Sequence, residues 1–427
     1  MAAPARPGRV VVVGASLAGL SALEALRQEG YEGELIAVGA EPALPYDRPP
    51  LSKQVLQGQW EPEKANLRDE EQYDALGVTW HLGRRATALD VSARKVTLDG
   101  GEPLAYDGLV IATGATPRRL PGSQELAGIH VLRTLDECLA LRAELETASR
   151  LCVVGAGFIG AEVAASARVL GVDVTVLEAL PAPLARAFPA ELGAACAGLH
   201  LDHGVDLRCG VTVAGFEGSG ASPASREPGE ARVSGVRLGD PGGSGVSPGK
   251  GEIVEADVVV VGVGVVPETG WLESSGLTLD NGVVCDATCA TSAPGVVAAG
   301  DIARWPNNLF GETMRVEHWS NAVEQGAAAA RRLLAGPGQA VDFAPVPYFW
   351  SDQYDTKIQF LGRCCPTDEV RVVEGALEER RFVALFGRDG RLVGALAFNR
   401  PRQLMAYRKL LAAKTSFEDA LAHAQAV

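Results

Sequence analysis

Two glycine-spaced turns constrain this chain more than any other feature. Gly14-Ala15-Ser16-Leu17-Ala18-Gly19 and Gly155-Ala156-Gly157-Phe158-Ile159-Gly160 each follow an apolar run of strand length and open a stretch with helical periodicity. After the first, residues 19–28 read as a helix and 35–38 as a strand, and Glu41 closes the unit. After the second, residues 160–170, 174–177 and Glu178 repeat the plan. The chemistry of such a turn is specific. One glycine permits the tight strand-to-helix reversal, a second lets the backbone approach a pyrophosphate, and a third lets helix and strand pack closely. The phosphates lie at the positive helix N-terminus, and the acid binds ribose hydroxyls. In the first copy Ser16 stands where the middle glycine would be; it is small and still permits the approach. Each copy has its strand, helix and acid in order, so the pair reads as two dinucleotide sites. Gly14, Ser16, Leu17, Ala18, Gly19 and Glu41 would serve the first. Gly155, Gly157, Phe158, Ile159, Gly160, Glu178 and the strand-end Gly262 would serve the second.

Glu178 bears on the choice of nucleotide. A carboxylate there accepts from the adenosine ribose hydroxyls and repels a 2′-phosphate, and Ala179 and Leu180 follow with no arginine to receive one. The second site is expected to prefer NADH over NADPH.

The remainder of the chain is consistent with a multidomain globular protein. Its 427 residues exceed what one hydrophobic core organises, and 47% hydrophobic with 22% charged residues is ordinary for such a protein. A net charge of -14 argues against a general nucleic-acid binder. The longest apolar run, residues 258–266, is strand-sized, and the N-terminus lacks the segments of a signal peptide, so a cytoplasmic location is expected. The eight cysteines form no C-x-x-C pair and no metal-ligand spacing, and no metal is expected. His200, Asp202 and His203 read as a solvated loop or helix and not as ligands. Residues 215–250 are rich in Gly, Ser and Pro and read as a mobile surface insertion with one short strand at 232–238. Residues 258–263 and 296–299 read as buried strands and 321–334 as a helix. From Phe343 onward, alternating aromatic and β-branched residues followed by a helix pair at 403–424 indicate an α+β domain.

Further segments carry a family resemblance. Leu44-Pro45-Tyr46-Asp47-Arg48-Pro49-Pro50-Leu51-Ser52-Lys53 is long and specific, as are Ile111-Ala112-Thr113-Gly114-Ala115, Ala298-Ala299-Gly300-Asp301, Glu317-His318-Trp319 and Pro347-Tyr348-Phe349-Trp350-Ser351-Asp352. With these the chain resembles the NADH-dependent ferredoxin reductases of bacterial oxygenase systems, within the FAD-dependent pyridine nucleotide-disulfide oxidoreductase superfamily. The resemblance implies an α/β, glutathione-reductase-like fold with two Rossmann-like domains and a C-terminal α+β domain. FAD would occupy residues 1–117 and 267–332, NADH residues 118–266, and residues 333–427 would form the C-terminal domain. It also implies non-covalent FAD contacts from Arg48, Lys53, Ala112, Thr113, Gly114, Arg118, Asp301, Glu317, His318 and Trp319. Lys53 would place a cation near the reactive edge of the flavin, Trp319 would lie beside its ring, and Glu162, on the first turn of the second fingerprint helix, would reach toward the nicotinamide and pair with Lys53. Lys53, Glu162 and Trp319 are thus the candidate catalytic residues.

Thiols separate the subfamilies. Disulfide reductases of this fold carry a cysteine pair beside the flavin, but residues 46–53 contain none and the first cysteine in the chain is Cys138. Electrons are therefore expected to pass directly to an external one-electron acceptor. The family implies a 2Fe-2S ferredoxin and, behind it, a haem monooxygenase or a Rieske dioxygenase. Such ferredoxins are acidic, which calls for a locally basic face; Arg304, Arg315, Arg400, Arg402, Arg408, Lys409 and Lys414 are candidates. Two other readings stay open at this level. One is a reductase of rubredoxin or a small-molecule acceptor. The other is an NADH-responsive redox sensor of the apoptosis-inducing-factor type.

Overall fold

The valine-rich segments form the centres of two parallel sheets. β-branched residues favour extended backbone, and a strand covered on both faces carries apolar side chains at consecutive positions. The computed structural model describes residues 6–219, 231–239 and 251–426, which fall into two compact units.

The first unit comprises the chain up to Asp47, Asn66–Thr116 and Val266–Phe349. Its main sheet has five parallel strands in the order Val296–Ala298, Gly108–Ile111, Arg9–Val13, Glu34–Gly39 and Val78–Leu82. Val11, Val13, Leu109 and Ile111 join one core cluster; Val10, Val12 and Val110 join another on the opposite face. This is the two-residue alternation of a strand written onto two cores. Helix Leu17–Gln28 leads from the first strand to its neighbour, and helix Trp319–Ala335 packs against it.

The second unit comprises Arg48–Ala65, Pro117–Val265 and the chain from Trp350 onward. Its parallel sheet runs Asp206–Cys209, Asp173–Glu178, Arg150–Val154, Val258–Val261, Ile129–His130. Strands Thr356–Gly362, Arg391–Phe398, Arg381–Arg388 and Glu369–Ala376 form an antiparallel sheet with Tyr348–Gln353 at its edge. Phe382, Phe386 and Phe398 are fully buried in it, and helices Pro401–Ala412 and Phe417–Ala426 lie on it.

The mixed α/β class expected from the sequence is the one observed, with three local corrections. The segment expected to be irregular from residue 215 is ordered through strand Val213–Ser219, which pairs antiparallel with Arg232–Leu238; residues 220–230 and 240–250 lie outside the described residues. His200 and Asp202 sit on helix Ala190–Asp202, and of the two only Asp202 is exposed as expected. His200 is buried, Asp202 pairs with Arg380 at 2.6 Å, and His203 stacks on Tyr354 at 3.6 Å between ring centroids. Tyr354 and Arg380, from two turns of the antiparallel sheet, reach this helix, which local sequence does not announce. Finally, the second fingerprint helix begins at Phe158, so Glu162 lies beyond its first turn.

Candidate active site

In both parallel sheets the strand order reverses beside the first strand of the βαβ unit, and ligands of open α/β sheets bind at the carboxyl ends of strands at that reversal. In the first unit those ends supply Gly14 to Gly19, Glu41, Ala112 to Gly114, and Gly300 with Asp301. Gly14 has φ +118, and a Cβ on Gly19 would stand 1.9 Å from the Gly14 carbonyl oxygen, so no larger residue fits this turn. A Cβ on Gly300 would stand 2.9 Å from Ala18 Cβ, which places the Gly300-Asp301 turn against the start of the fingerprint helix.

That helix starts after Ser16 with no side-chain cap and no acidic residue in its first turn. An uncapped N-terminus leaves backbone donors and a partial positive charge for an anion. Glu41 accepts from the Tyr46 hydroxyl, and Thr113 Oγ1 donates to the Glu268 carbonyl at 3.0 Å. The Asp301 carbonyl accepts from Arg315 at 2.9 Å, and Arg315 also pairs with Glu317 at 2.7 Å. His318 lies 4.9 Å from Phe349 between ring centroids, and the Trp319 indole donates to Asp47 Oδ1 at 2.7 Å. These residues fit a nucleotide with a pyrophosphate and a flat ring.

The second unit repeats the arrangement. A Cβ on Gly160 would stand 2.1 Å from the Gly155 carbonyl, and one on Gly155 2.5 Å from the Gly262 carbonyl, whereas one on Gly157 meets nothing nearer than 4.0 Å. The helix after Gly157 again lacks a side-chain cap and an early acid. Glu178 accepts from the Ala156 N–H at 2.7 Å and the Leu180 N–H at 2.8 Å, which points its carboxylate at the fingerprint turn. Phe158 packs edge-on against Phe188, and Ile159 is exposed. Arg118 is exposed, and its backbone N–H donates to Gly264. Arg48 donates to the Arg133 carbonyl at 2.5 Å.

A buried polar cluster completes this unit. The short helix Pro49–Ser52 presents Ser52 and Lys53 to Glu162 on helix Phe158–Val169. Lys53 Nζ stands 2.6 Å from Glu162 Oε2, and the Ser52 hydroxyl donates to the same oxygen at 2.5 Å. Glu162 Oε1 accepts from the Ser351 hydroxyl at 2.7 Å and the Asp352 N–H at 3.2 Å. Lys53 and Glu162 are 8% and 3% exposed, so the pair is desolvated and depends on these donors. The structure thus brings together the two residues paired in the sequence reading and adds Ser52, Ser351 and Asp352, which that reading missed. Ser351 and Asp352 stood in a recognised motif, but nothing local tied them to Glu162.

The structure also places one thiol close by. Cys138 Sγ donates to the Leu51 carbonyl at 3.1 Å, and burial pushes the thiol up to about 12, with Arg142 opposing. A single neutral thiol is no disulfide relay. All eight cysteines are free, and among the described residues no cluster of His, Cys, Asp or Glu is arranged to hold a metal. The expected basic face is partly consumed: Arg304 pairs with Asp280, Arg315 with Glu317, and Arg400 with Glu374. Arg402 and Lys409 remain exposed on helix Pro401–Ala412, beside Met405. Among the described residues no helix is long and apolar enough to cross a membrane.

Each unit thus ends its parallel sheet in a glycine turn, an uncapped helix and a nearby acid, the arrangement of a dinucleotide-binding fold. The chain belongs to the pyridine nucleotide-disulphide oxidoreductase family, whose model matches residues 8–326, and a reductase C-terminal domain matches residues 348–427. As a member it is an enzyme that uses FAD and NAD(H). It is 36% identical over 404 residues to rhodocoxin reductase of Rhodococcus erythropolis, covering 94% of this chain and 89% of that one. It is 39% identical over 406 residues to the ferredoxin–NAD(+) reductase component of the anthranilate 1,2-dioxygenase system of Burkholderia cepacia, covering 94% of each. A solved covalent complex of putidaredoxin reductase with putidaredoxin matches with a TM-score of 0.87 at 31% identity, covering 98% of each chain.

Proposed function

We propose that the protein is an FAD-dependent NADH:ferredoxin oxidoreductase whose 2Fe-2S ferredoxin partner serves a haem monooxygenase or a Rieske dioxygenase. The observation that carries this reading is the pair of alike nucleotide sites combined with the lack of any cysteine in residues 46–53, the nearby Cys138 being a single buried thiol. When bound, the flavin supplies a ring that accepts hydride and releases electrons singly, the link between a two-electron donor and a one-electron carrier.

The chain's own residues hold and tune that group. Gly14, Ser16, Leu17, Ala18 and Gly19 receive the FAD pyrophosphate, and Glu41 its ribose. Arg48, Ala112, Thr113, Gly114, Arg118, Asp301, Glu317 and His318 contact the remainder. Trp319 packs a flat ring at the flavin and excludes water. Lys53 sets a positive charge where the reduced ring becomes electron-rich, and Glu162 fixes that charge in place. Gly155, Gly157, Phe158, Ile159, Gly160, Glu178 and Gly262 hold NADH. Residues 1–117 and 267–332 serve FAD, 118–266 serve NADH, and 333–427 contribute to the partner face. Arg402 and Lys409, exposed around Met405, suit an acidic ferredoxin. A cytoplasmic location suits eight unpaired thiols.

Anaerobic NADH titration of the FAD-loaded protein, followed by addition of a panel of ferredoxins, tests the reading. Bleaching of the flavin and catalytic reduction of a ferredoxin are expected. A protein that takes up no FAD, or that keeps its oxidised spectrum under NADH, would overturn it.

A further inference from the structure

We infer that Ser351 is a positioning residue for the reaction, acting through Glu162 on Lys53. This rests on the reading of Lys53 as the cation beside the flavin. The two oxygens of Glu162 are held differently. Oε2 takes the Lys53 ammonium and the Ser52 hydroxyl, which are adjacent in the chain. Oε1 takes the Ser351 hydroxyl at 2.7 Å and the more distant Asp352 N–H at 3.2 Å.

Rotation of a carboxylate about its terminal bond is soft, so donors on one oxygen alone do not set its plane. Ser351 supplies the missing point. Its own oxygen accepts from Gln353 Nε2 at 3.2 Å, which leaves its proton directed at Glu162. Ser351 and Gln353 are both 0% exposed, so no bulk water stands ready to replace this donor. Without Ser351, Oε1 keeps only the longer backbone contact, and the carboxylate is free to turn Oε2 away from Lys53. Among the described residues Lys53 has no second carboxylate partner, so its ammonium loses its fixed place. Ser351 lies 189 positions from Glu162, on the segment that opens the C-terminal sheet, so the seating of that strand is coupled to the charge at Lys53.

The test uses the FAD-loaded full-length protein with Ser351→Ala, Lys53→Met and the double variant, followed by anaerobic stopped flow. For Ser351→Ala the limiting rate of flavin reduction by NADH should fall about tenfold, as befits one lost bond to a buried charge. The NADH Kd should stay within about twofold, the pattern of a loss confined to the chemical step. Adding Ser351→Ala to Lys53→Met should slow reduction no further, since the two act as one unit. If Ser351→Ala does not fold, Ser351→Cys, a weaker donor of similar shape, should show the same selective slowing. A parent-like rate in Ser351→Ala or Ser351→Cys while Lys53→Met is slow would overturn the inference alone, as would additive slowing in the double variant. A parent-like rate in Lys53→Met would instead remove the reading of Lys53, and this inference with it.

Discussion

The indole N–H of Trp319 donates to Asp47 Oδ1 at 2.7 Å, joining residues 272 positions apart. Trp319 is 37% exposed, and this bond fixes the direction of its indole N–H. Asp47→Ala should let the indole turn and slow NADH-driven ferredoxin reduction about fivefold, equivalent to roughly 1 kcal/mol. Ferricyanide reduction by the same variant should stay near the parent rate. Equal losses with both acceptors would show that the bond supports the flavin site as a whole rather than the exit of electrons.

The fingerprint glycines divide into two kinds. A Cβ on Gly160 would meet the Gly155 carbonyl oxygen at 2.1 Å, so Gly160→Ala should destabilise the fold by roughly 1–3 kcal/mol. A Cβ on Gly157 has 4.0 Å of clearance. Gly157→Ala should therefore melt with the parent protein yet bind NADH about tenfold more weakly, because the methyl occupies the path of the pyrophosphate. Thermal unfolding paired with NADH titration separates the two cases.

Glu178 already accepts two backbone N–H groups, and each of its oxygens retains a lone pair for a ribose hydroxyl. Glu178→Gln should lower kcat/KM for NADH about tenfold while removing the repulsion of a 2′-phosphate. The ratio of kcat/KM for NADH to that for NADPH should then fall toward unity. An unchanged ratio would place the discrimination elsewhere.

His200 makes stability depend on pH. Burial holds its imidazole down at about 4 against an ordinary 6.5; Gln353 opposes that shift and His203 adds to it. The folded protein keeps the ring neutral while the unfolded chain takes up a proton below 6.5. The contribution is therefore complete above 6.5, is lost progressively as pH falls toward 4, and changes no further below that. The full loss is on the order of 3 kcal/mol. His200→Gln should flatten the curve of Tm against pH across this interval. Parallel curves for parent and variant would show that the acid sensitivity arises from other groups.

Local chemistry was readable from the residues themselves, whereas long-range chemistry was readable only where the family resemblance supplied it, as for Lys53 and Glu162. Strands such as Arg9–Val13 and Val258–Val261 show as valine runs, and both fingerprints carry their own turn, helix and acid within one βαβ unit. The donors around Glu162 come from 110 and 189 positions away, so no window of sequence brings Ser52 or Ser351 to it. His200 was misplaced for the same reason: what buries its helix includes Tyr354, whose hydroxyl lies 3.1 Å from its ring nitrogen. Arg304 and Arg400 illustrate the limit for charge patterns, since the sequence shows the cations but not the carboxylates that neutralise them.

The second unit draws on Arg48–Ala65, on Pro117–Val265 and on the chain beyond Trp350. During synthesis its parallel sheet can therefore assemble while the last strands are still inside the ribosome, with Glu162 and Lys53 present but half of the carboxylate's donors not yet made. A newly made chain stalled before Ser351 would lack the two donors on Glu162 Oε1 and leave that oxygen to water. The Glu162 carboxylate has its full set of donors only once the segment with Ser351 and Asp352 has joined the unit.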